Sequence, residues 1–299
     1  MRVFVTGASG WIGSATVDEL LGAGHQVVGL ARSDASAATL EAKGATVLRG
    51  DLDDLDSLRK GADDADAVIH LANKHDFADQ AESNRAERAA VQTIGDVLVG
   101  SERAFLVAAG VAGLAQGRPS TELDRSPWSG PEAPRGGTEN LALEYVDRGV
   151  RSVGLRFAPT VHGEGDHGFI AVLVAAARAQ GRSAYVGDGS TAWSAVHRSD
   201  AARMVRLGLE QAPAGSLLHA VAEVGVPSRV IAEEIGRGLD LPTVPVGRDD
   251  AAEAFGSFIG TFFAMDMSST STRTQDLLGW TPTGPTLLDD LRSGSYFRS

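Results

Sequence analysis

Cysteine is absent from the 299-residue chain, and lysine occurs only at Lys43, Lys60 and Lys74. Without thiols there is no disulfide, no thiolate metal site and no cysteine nucleophile, a composition that suits a reducing compartment. A formal charge of −12 gives the wrong sign for a nucleic-acid partner, whose phosphates require clustered cations. Tyrosine is scarce as well, at Tyr145, Tyr185 and Tyr296 alone. Long apolar runs are missing: residues 169–177 make about half of the roughly 18 that a membrane helix needs. The opening run Val3-Phe4-Val5 is too short for a secretion signal, so a soluble cytoplasmic protein is expected. There is no H-E-x-x-H motif, and the pairs His70/His75 and His162/His167 lie five apart in or beside loops, so no metal is expected.

What is present is concentrated at the start. Val3-Phe4-Val5 leads into Thr6-Gly7-Ala8-Ser9-Gly10-Trp11-Ile12-Gly13 and then into an amphipathic stretch through Leu21, the order strand, glycine turn, helix. In a dinucleotide-binding βαβ unit Gly7 makes the tight turn, Gly10 lets the backbone approach a pyrophosphate, and Gly13 lets the helix pack on the strand. The phosphates then meet unpaired N–H groups and the positive end of the helix dipole. Thr6, Ser9, Trp11 and Ile12 complete this contact set. Glycines at such spacing also arise by chance; the position between a strand and a helix is what makes the motif specific.

Apolar runs at residues 26–30, 45–48, 67–70, 105–109 and 152–157 alternate with helical patterns, which predicts an α/β fold with a Rossmann-type doubly wound parallel sheet. Residues 80–98 read as a long surface helix and 136–148 as another. Residues 110–134 hold four prolines and four glycines and read as a loop with a role at a site. Beyond residue 158 the alternation decays. Helices near 168–180, 199–211 and 228–238, strands near 184–186 and 217–221, and a tail from 272 are read as a smaller C-terminal substrate lobe. The division is 1–160 for NAD(P) binding and 161–299 for the lobe, with returning segments, in a single compact unit. Ligands of such sheets bind beyond the carboxyl ends of the strands, where the strand order reverses.

Arg32 and Ser33 follow the second strand. An acid there binds the ribose 2′-hydroxyl of NAD, whereas arginine suits the extra phosphate of NADP. NADP is favoured, and Asp34 keeps NAD open. After the third strand, Asp51 can accept from the adenine amino group while Leu52 packs on the ring; Asp51 also reads as the N-cap of a helix starting at Leu55.

Thr6-Gly7-x-x-Gly10-x-x-Gly13, Asp51-Leu52, His70-Leu71-Ala72, the run Arg156-Phe157-Ala158-Pro159-Thr160-Val161-His162-Gly163 and Gly279-Trp280-Thr281-Pro282 together resemble the short-chain dehydrogenase/reductase superfamily in its extended, epimerase-like branch. The resemblance spans essentially the whole chain. It implies cofactor contacts at Leu71, Ala72, Pro159 and Thr160. Members typically act through a serine after the fifth strand and a Tyr-x-x-x-Lys pair on the next helix, which donates a proton and orients the ribose. By the resemblance these positions hold Ala109, Arg135 and Glu139. Tyr145 lies ten residues past Arg135, about 15 Å along a helix, and cannot substitute. The chain thus resembles the atypical branch, for which fold analogy does not define a reaction.

Proton chemistry then falls to histidines near the strand ends. His75 beside Asp76 and His167 beside Asp166 are the catalytic candidates. His162 reads as packing and His197 as structural. Lys74 is either a proton donor or a solvated cation, and Arg135 with Glu139 reads as an i,i+4 ion pair. Phe77, Trp128, Phe169 and Trp193 are candidates for an apolar substrate wall. The expected function is an NADP-dependent oxidoreductase acting on a small carbonyl or alcohol, with water or a loop histidine moving the proton. The alternatives are a non-catalytic NADP(H) sensor, and a nucleotide-sugar epimerase or dehydratase drawing on Arg178, Arg182, Arg198 and Arg203. A homodimer through the helices at 80–98 and 136–148 is expected by resemblance.

Overall fold

The computed structural model describes residues 1–74 and 79–298. In chain order the strands are β1 (Arg2–Thr6), β2 (Gln26–Ala31), β3 (Thr46–Arg49), β4 (Ala67–His70), β5 (Ala104–Gly110), β6 (Arg151–Phe157), β7 (Thr160–His162), β8 (Ser183–Val186), β9 (Ala192–His197), β10 (Leu217–Ala220), β11 (Glu223–Pro227) and β12 (Thr243–Val246). The helices are α1 (Trp11–Gly22), α2 (Asp34–Ala42), α3 (Leu55–Asp63), α4 (Gln80–Leu98), α5 (Thr138–Glu144), α6 (Phe169–Gln180), α7 (Arg198–Gln211), α8 (Ser228–Leu239), α9 (Ala251–Phe255), α10 (Ser257–Phe263), α11 (Thr272–Leu278) and α12 (Leu287–Ser293).

Seven parallel strands form the main sheet in the order β3-β2-β1-β4-β5-β6-β10. Side chains alternate across a strand, so Val3 and Val5 enter one core with Leu20, Leu106 and Leu155, while Phe4 enters the other with Leu58, Ile94 and Phe105. Burial on both faces is why these strands read as apolar runs. The order reverses between β1 and β4, the place where sheets of this class hold their ligand crevice, beyond the carboxyl ends of the strands. A third core gathers Ile170, Leu173, Trp193, Ile231, Phe263 and Leu287 around the small sheets β11-β9-β7 and β12-β8.

The segment at 217–221 returns to the main sheet as β10, its outermost strand beside β6, and the preceding helix α7 packs against α1. Two expectations need correction. The long helix at 136–148 does not form: a short 3-10 turn (Pro134–Gly137), α5, and a second 3-10 turn (Val146–Arg148) replace it. Its start is broken because Arg135, Gly136 and Gly137 all take positive φ, at 54°, 63° and 63°. Trp193 is not a wall for substrate, since it is 1% exposed and packs edge-on against Phe263 in the third core. Phe169 is half-buried in the same aromatic cluster, whereas Trp128 is exposed. The loop after β5 is irregular as expected and is stitched to the C-terminal part of the chain: Ser120 donates its N–H to Ser268, and Thr270 donates to Ser120.

Candidate active site

The glycine turn has the geometry its spacing implies. Gly7 has φ +67°, and a Cβ on it would lie 2.7 Å from the nitrogen of Ala72. A Cβ on Gly13 would lie 2.0 Å from the carbonyl oxygen of Gly7, so only glycine lets α1 sit this close to the turn. The turn is closed by the Gly10 N–H donating to Gly7 at 2.9 Å. No side chain caps α1 and no acid lies in its first turn, which leaves its first N–H groups open to an anion. Ser9 beside them is exposed and Ile12 half-buried.

Side chains tie this turn to the neighbouring strand ends. The Thr6 hydroxyl meets His70 Nδ1 at 2.9 Å and accepts the Ala72 N–H at 3.3 Å, which joins the end of β1 to Leu71 and Ala72 after β4. Trp11 donates its indole N–H to the Val161 carbonyl at 2.7 Å, which joins the start of α1 to β7, the strand that holds Thr160 and follows Pro159. The Thr160 hydroxyl is buried with no hydrogen-bond partner among the described residues. Arg198 covers one face of Trp11 at 4.2 Å, and the exposed His167 meets the Trp11 ring edge-on at 5.7 Å, so His167 stands beside the phosphate-binding turn.

Beyond β2, Ser33 caps α2 by accepting the Ser36 N–H at 3.2 Å. Arg49 donates to the Ser33 carbonyl at 2.8 Å and to the Asp34 carboxylate at 2.7 Å. Arg32 is exposed and makes no ion pair among the described residues. After β3, Leu52 is buried and the Asp51 carboxylate accepts the N–H groups of Asp53 and Asp54 at 2.9 and 3.0 Å. The N-cap of α3 is Asp54 rather than Asp51, because Asp54 is the residue whose carboxylate reaches the Ser57 N–H, at 3.1 Å.

Beyond β4 and β5 lie the positions where the resemblance puts the catalytic groups. Ala109 is half-buried at the end of β5. Glu139 is buried in a two-pronged pair with Arg156 at 2.8 and 2.7 Å. The Arg135–Glu139 pair therefore does not exist: Arg135 precedes α5 in a left-handed conformation and turns to α4, where Glu87 accepts its Nε at 3.0 Å and its Nη2 at 2.5 Å. The fully buried Glu87 also accepts the side-chain amide of Asn73, just past β4. Lys74 lies between Asp53 at 2.8 Å and Glu82 at 3.3 Å, whose hydrogen bonds and charge hold its pKa above the usual value and leave it a poor proton donor. His70 is fully buried, and burial together with the Arg135 charge pushes it down to about 3.

His75, Asp76 and Phe77 lie outside the described residues. His162 is buried as expected of a packing residue, with Nδ1 2.6 Å from Asp290. His197 caps α7 through the Ser199 N–H. Among the described residues no cluster of ligands could hold a metal ion, and no helix is long and apolar enough to cross a membrane. Glu87 and Asn73 escaped the sequence reading. The available signal was the position of Glu87 within the buried stripe of α4 with Ser83, Ala90, Val91 and Ile94, where a carboxylate needs a partner.

A glycine turn at the reversal point of a seven-stranded parallel sheet defines a dinucleotide-binding protein of the doubly wound class. The chain belongs to the NAD dependent epimerase/dehydratase family, whose model matches residues 3–220. An uncharacterised protein of Schizosaccharomyces pombe is 46% identical over 298 residues, covering 99% of this chain and 100% of that one. A 4-hydroxy-2-methyl-3-oxo-4-farnesyl-3,4-dihydroquinoline-1-oxide ketoreductase of Stigmatella aurantiaca is 29% identical over 73% of this chain and 67% of its own length. Among solved structures, the dTDP-glucose 4,6-dehydratase DesIV of Streptomyces venezuelae, with NAD bound, superposes with a TM-score of 0.77, covering 99% of this chain and 97% of that one at 21% identity. The family points to NAD-dependent oxidoreductase or epimerase chemistry, and the solved structures show the fold.

Proposed function

We propose that the protein is an NADPH-dependent cytoplasmic oxidoreductase that reduces a small carbonyl compound. The observation that carries the cofactor choice is at the end of β2: Arg49 engages Asp34, the acid that would favour NAD, while Arg32 has no ion-pair partner among the described residues. The residues present fit a dinucleotide. The N–H groups of Trp11 and Ile12 in the first turn of α1 would hold its pyrophosphate, Arg32 and Ser33 its 2′-phosphate, Asp51 and Leu52 its adenine, and the Thr160 hydroxyl, unpartnered among the described residues, the part of the cofactor that reaches past β6. When bound, the cofactor supplies a hydride.

The kinship with a ketoreductase favours carbonyl reduction over sugar epimerisation. So does Arg135, because a guanidinium does not exchange protons near neutral pH as an epimerase or dehydratase base must. Water or His75 is left to supply the proton of the product alcohol. The test is calorimetric titration with NADPH and NADH, followed by absorbance at the nicotinamide band over a panel of aldehydes, ketones and quinones. Tight NADPH binding with carbonyl-dependent oxidation is the expected result. Binding without turnover would move the reading to a dinucleotide sensor, and no binding would overturn it.

A further inference from the structure

We propose that Arg135 holds the carbonyl oxygen of the substrate and that the buried Glu87 is its positioning residue, an inference that rests on the reductase reading. The first support is conformational. Arg135 is a non-glycine residue at φ +54°, ψ +26°, a region that L-residues with long side chains rarely occupy and that marks functional turns when neighbours enforce it. Here they do. Gly136 and Gly137 continue the left-handed path. A Cβ on Gly136 would lie 2.5 Å from the Asn84 carbonyl of α4, and Arg88 of the same helix donates to the Gly136 carbonyl at 2.8 Å.

The second support is electrostatic. Glu87 is fully buried and both its oxygens are engaged, Oε1 by Nε and Nη2 of Arg135 and Oε2 by the amide of Asn73. A buried carboxylate is retained only with a partner, and an apolar residue would serve the inner stripe of α4 equally well for packing. The partner it has is a guanidinium still 36% exposed, whose Nη1 meets no acceptor among the described residues. The third support is place. Asn73 follows Leu71 and Ala72 just past β4, and Glu87 bridges Asn73 to Arg135, so the guanidinium is tied to the carboxyl end of β4, the side on which such sheets bind their ligands.

In the reduction the carbonyl carbon gains a hydride, the π pair of the C=O bond moves onto oxygen, and that oxygen takes one proton from water. One carbonyl compound, one reduced nicotinamide and one proton become one alcohol and one oxidised nicotinamide. Arg135 donates hydrogen bonds to the oxygen as negative charge builds on it, and it keeps its own protons. It thus supplies the polarising half of what the expected tyrosine does and none of the proton transfer.

An oxyanion probe tests this without turnover. NADP⁺-loaded protein is titrated with benzoate, whose carboxylate stands in for the developing oxyanion, and binding is followed by calorimetry. Wild type is expected to bind benzoate, Arg135→Met to lose at least about 30-fold in affinity, and Arg135→Lys, which keeps the charge but not the fork, to fall between. Wild type that ignores benzoate, or Arg135→Met that binds it equally well, overturns the inference. Against a reducible carbonyl from the panel, Arg135→Met should lose about 10²- to 10³-fold in kcat. Glu87→Gln, which leaves the guanidinium in place but loosely held, should lose mainly kcat with little change in KM; NADPH affinity and near-ultraviolet circular dichroism report that the variant is folded. An unchanged kcat in Glu87→Gln removes its positioning role. Benzoate binding lost in Arg135→Met, alongside wild type that reduces no carbonyl, would keep the oxyanion site and sink the reductase reading, so the two fail separately.

Discussion

Replacing Arg32 with alanine should separate the two nicotinamide cofactors by an amount the structure bounds. Charge-assisted hydrogen bonds contribute about 1.5–3 kcal/mol each, and Arg32 is exposed, so screening by water places its contact with a 2′-phosphate near the lower end. At about 1.4 kcal/mol per decade, Arg32→Ala should weaken NADPH binding roughly 10- to 30-fold and leave NADH within about twofold. The pair between Arg49 and Asp34, at 2.7 Å, supplies an internal control. Arg49→Ala releases the Asp34 carboxylate to compete for Arg32 and to repel the phosphate, so NADPH should weaken several-fold while NADH does not. Calorimetry in low salt measures both, and the NADPH advantage should shrink as ionic strength rises. Equal losses for NADPH and NADH in Arg32→Ala would refute the reasoning, because a 2′-phosphate contact cannot affect a cofactor that lacks the group. An unchanged NADPH affinity would refute it too.

Two further predictions concern the protein around the crevice. Glu139→Gln leaves the fully buried Arg156 cation without its counter-charge, and urea unfolding should show a loss of roughly 3 kcal/mol; an unchanged midpoint would mean that the pair contributes nothing. His70 carries a pH dependence whose sign follows from its burial: its pKa is about 3 in the folded state and 6.5 when unfolded, so the unfolded chain binds the extra proton. Its stabilising contribution is therefore complete above pH 6.5 and declines as pH falls toward 3. At pH 5 the loss is about 2 kcal/mol. Unfolding at pH 7 and pH 5 should show wild type losing about that much more than His70→Asn, and equal losses would show that His70 does not stay neutral.

The parts of the site that could be read from sequence are those whose constraint is local. Gly7 and Gly13 are required by contacts within a single turn, and β1 and β4 to β6 reveal themselves because burial on both faces makes them apolar throughout. Ion pairs obey no such local rule. Helical spacing matched Arg135 with Glu139, yet the fold gives Arg135 to Glu87 and Glu139 to Arg156, partners 48 and 17 residues away. The same event explains the lost helix and the altered chemistry. A Tyr-x-x-x-Lys pair works because helical i,i+4 spacing puts both side chains on one face. Here α5 begins only at Thr138, after three left-handed residues, so positions 135 and 139 share no helical face. The residue at 135 must take its partner from a neighbouring helix, and a carboxylate buried on α4 is the group that waits there. Gly136-Gly137, which the sequence places at the start of the helix expected over 136–148, is thus the pair that redirects the site.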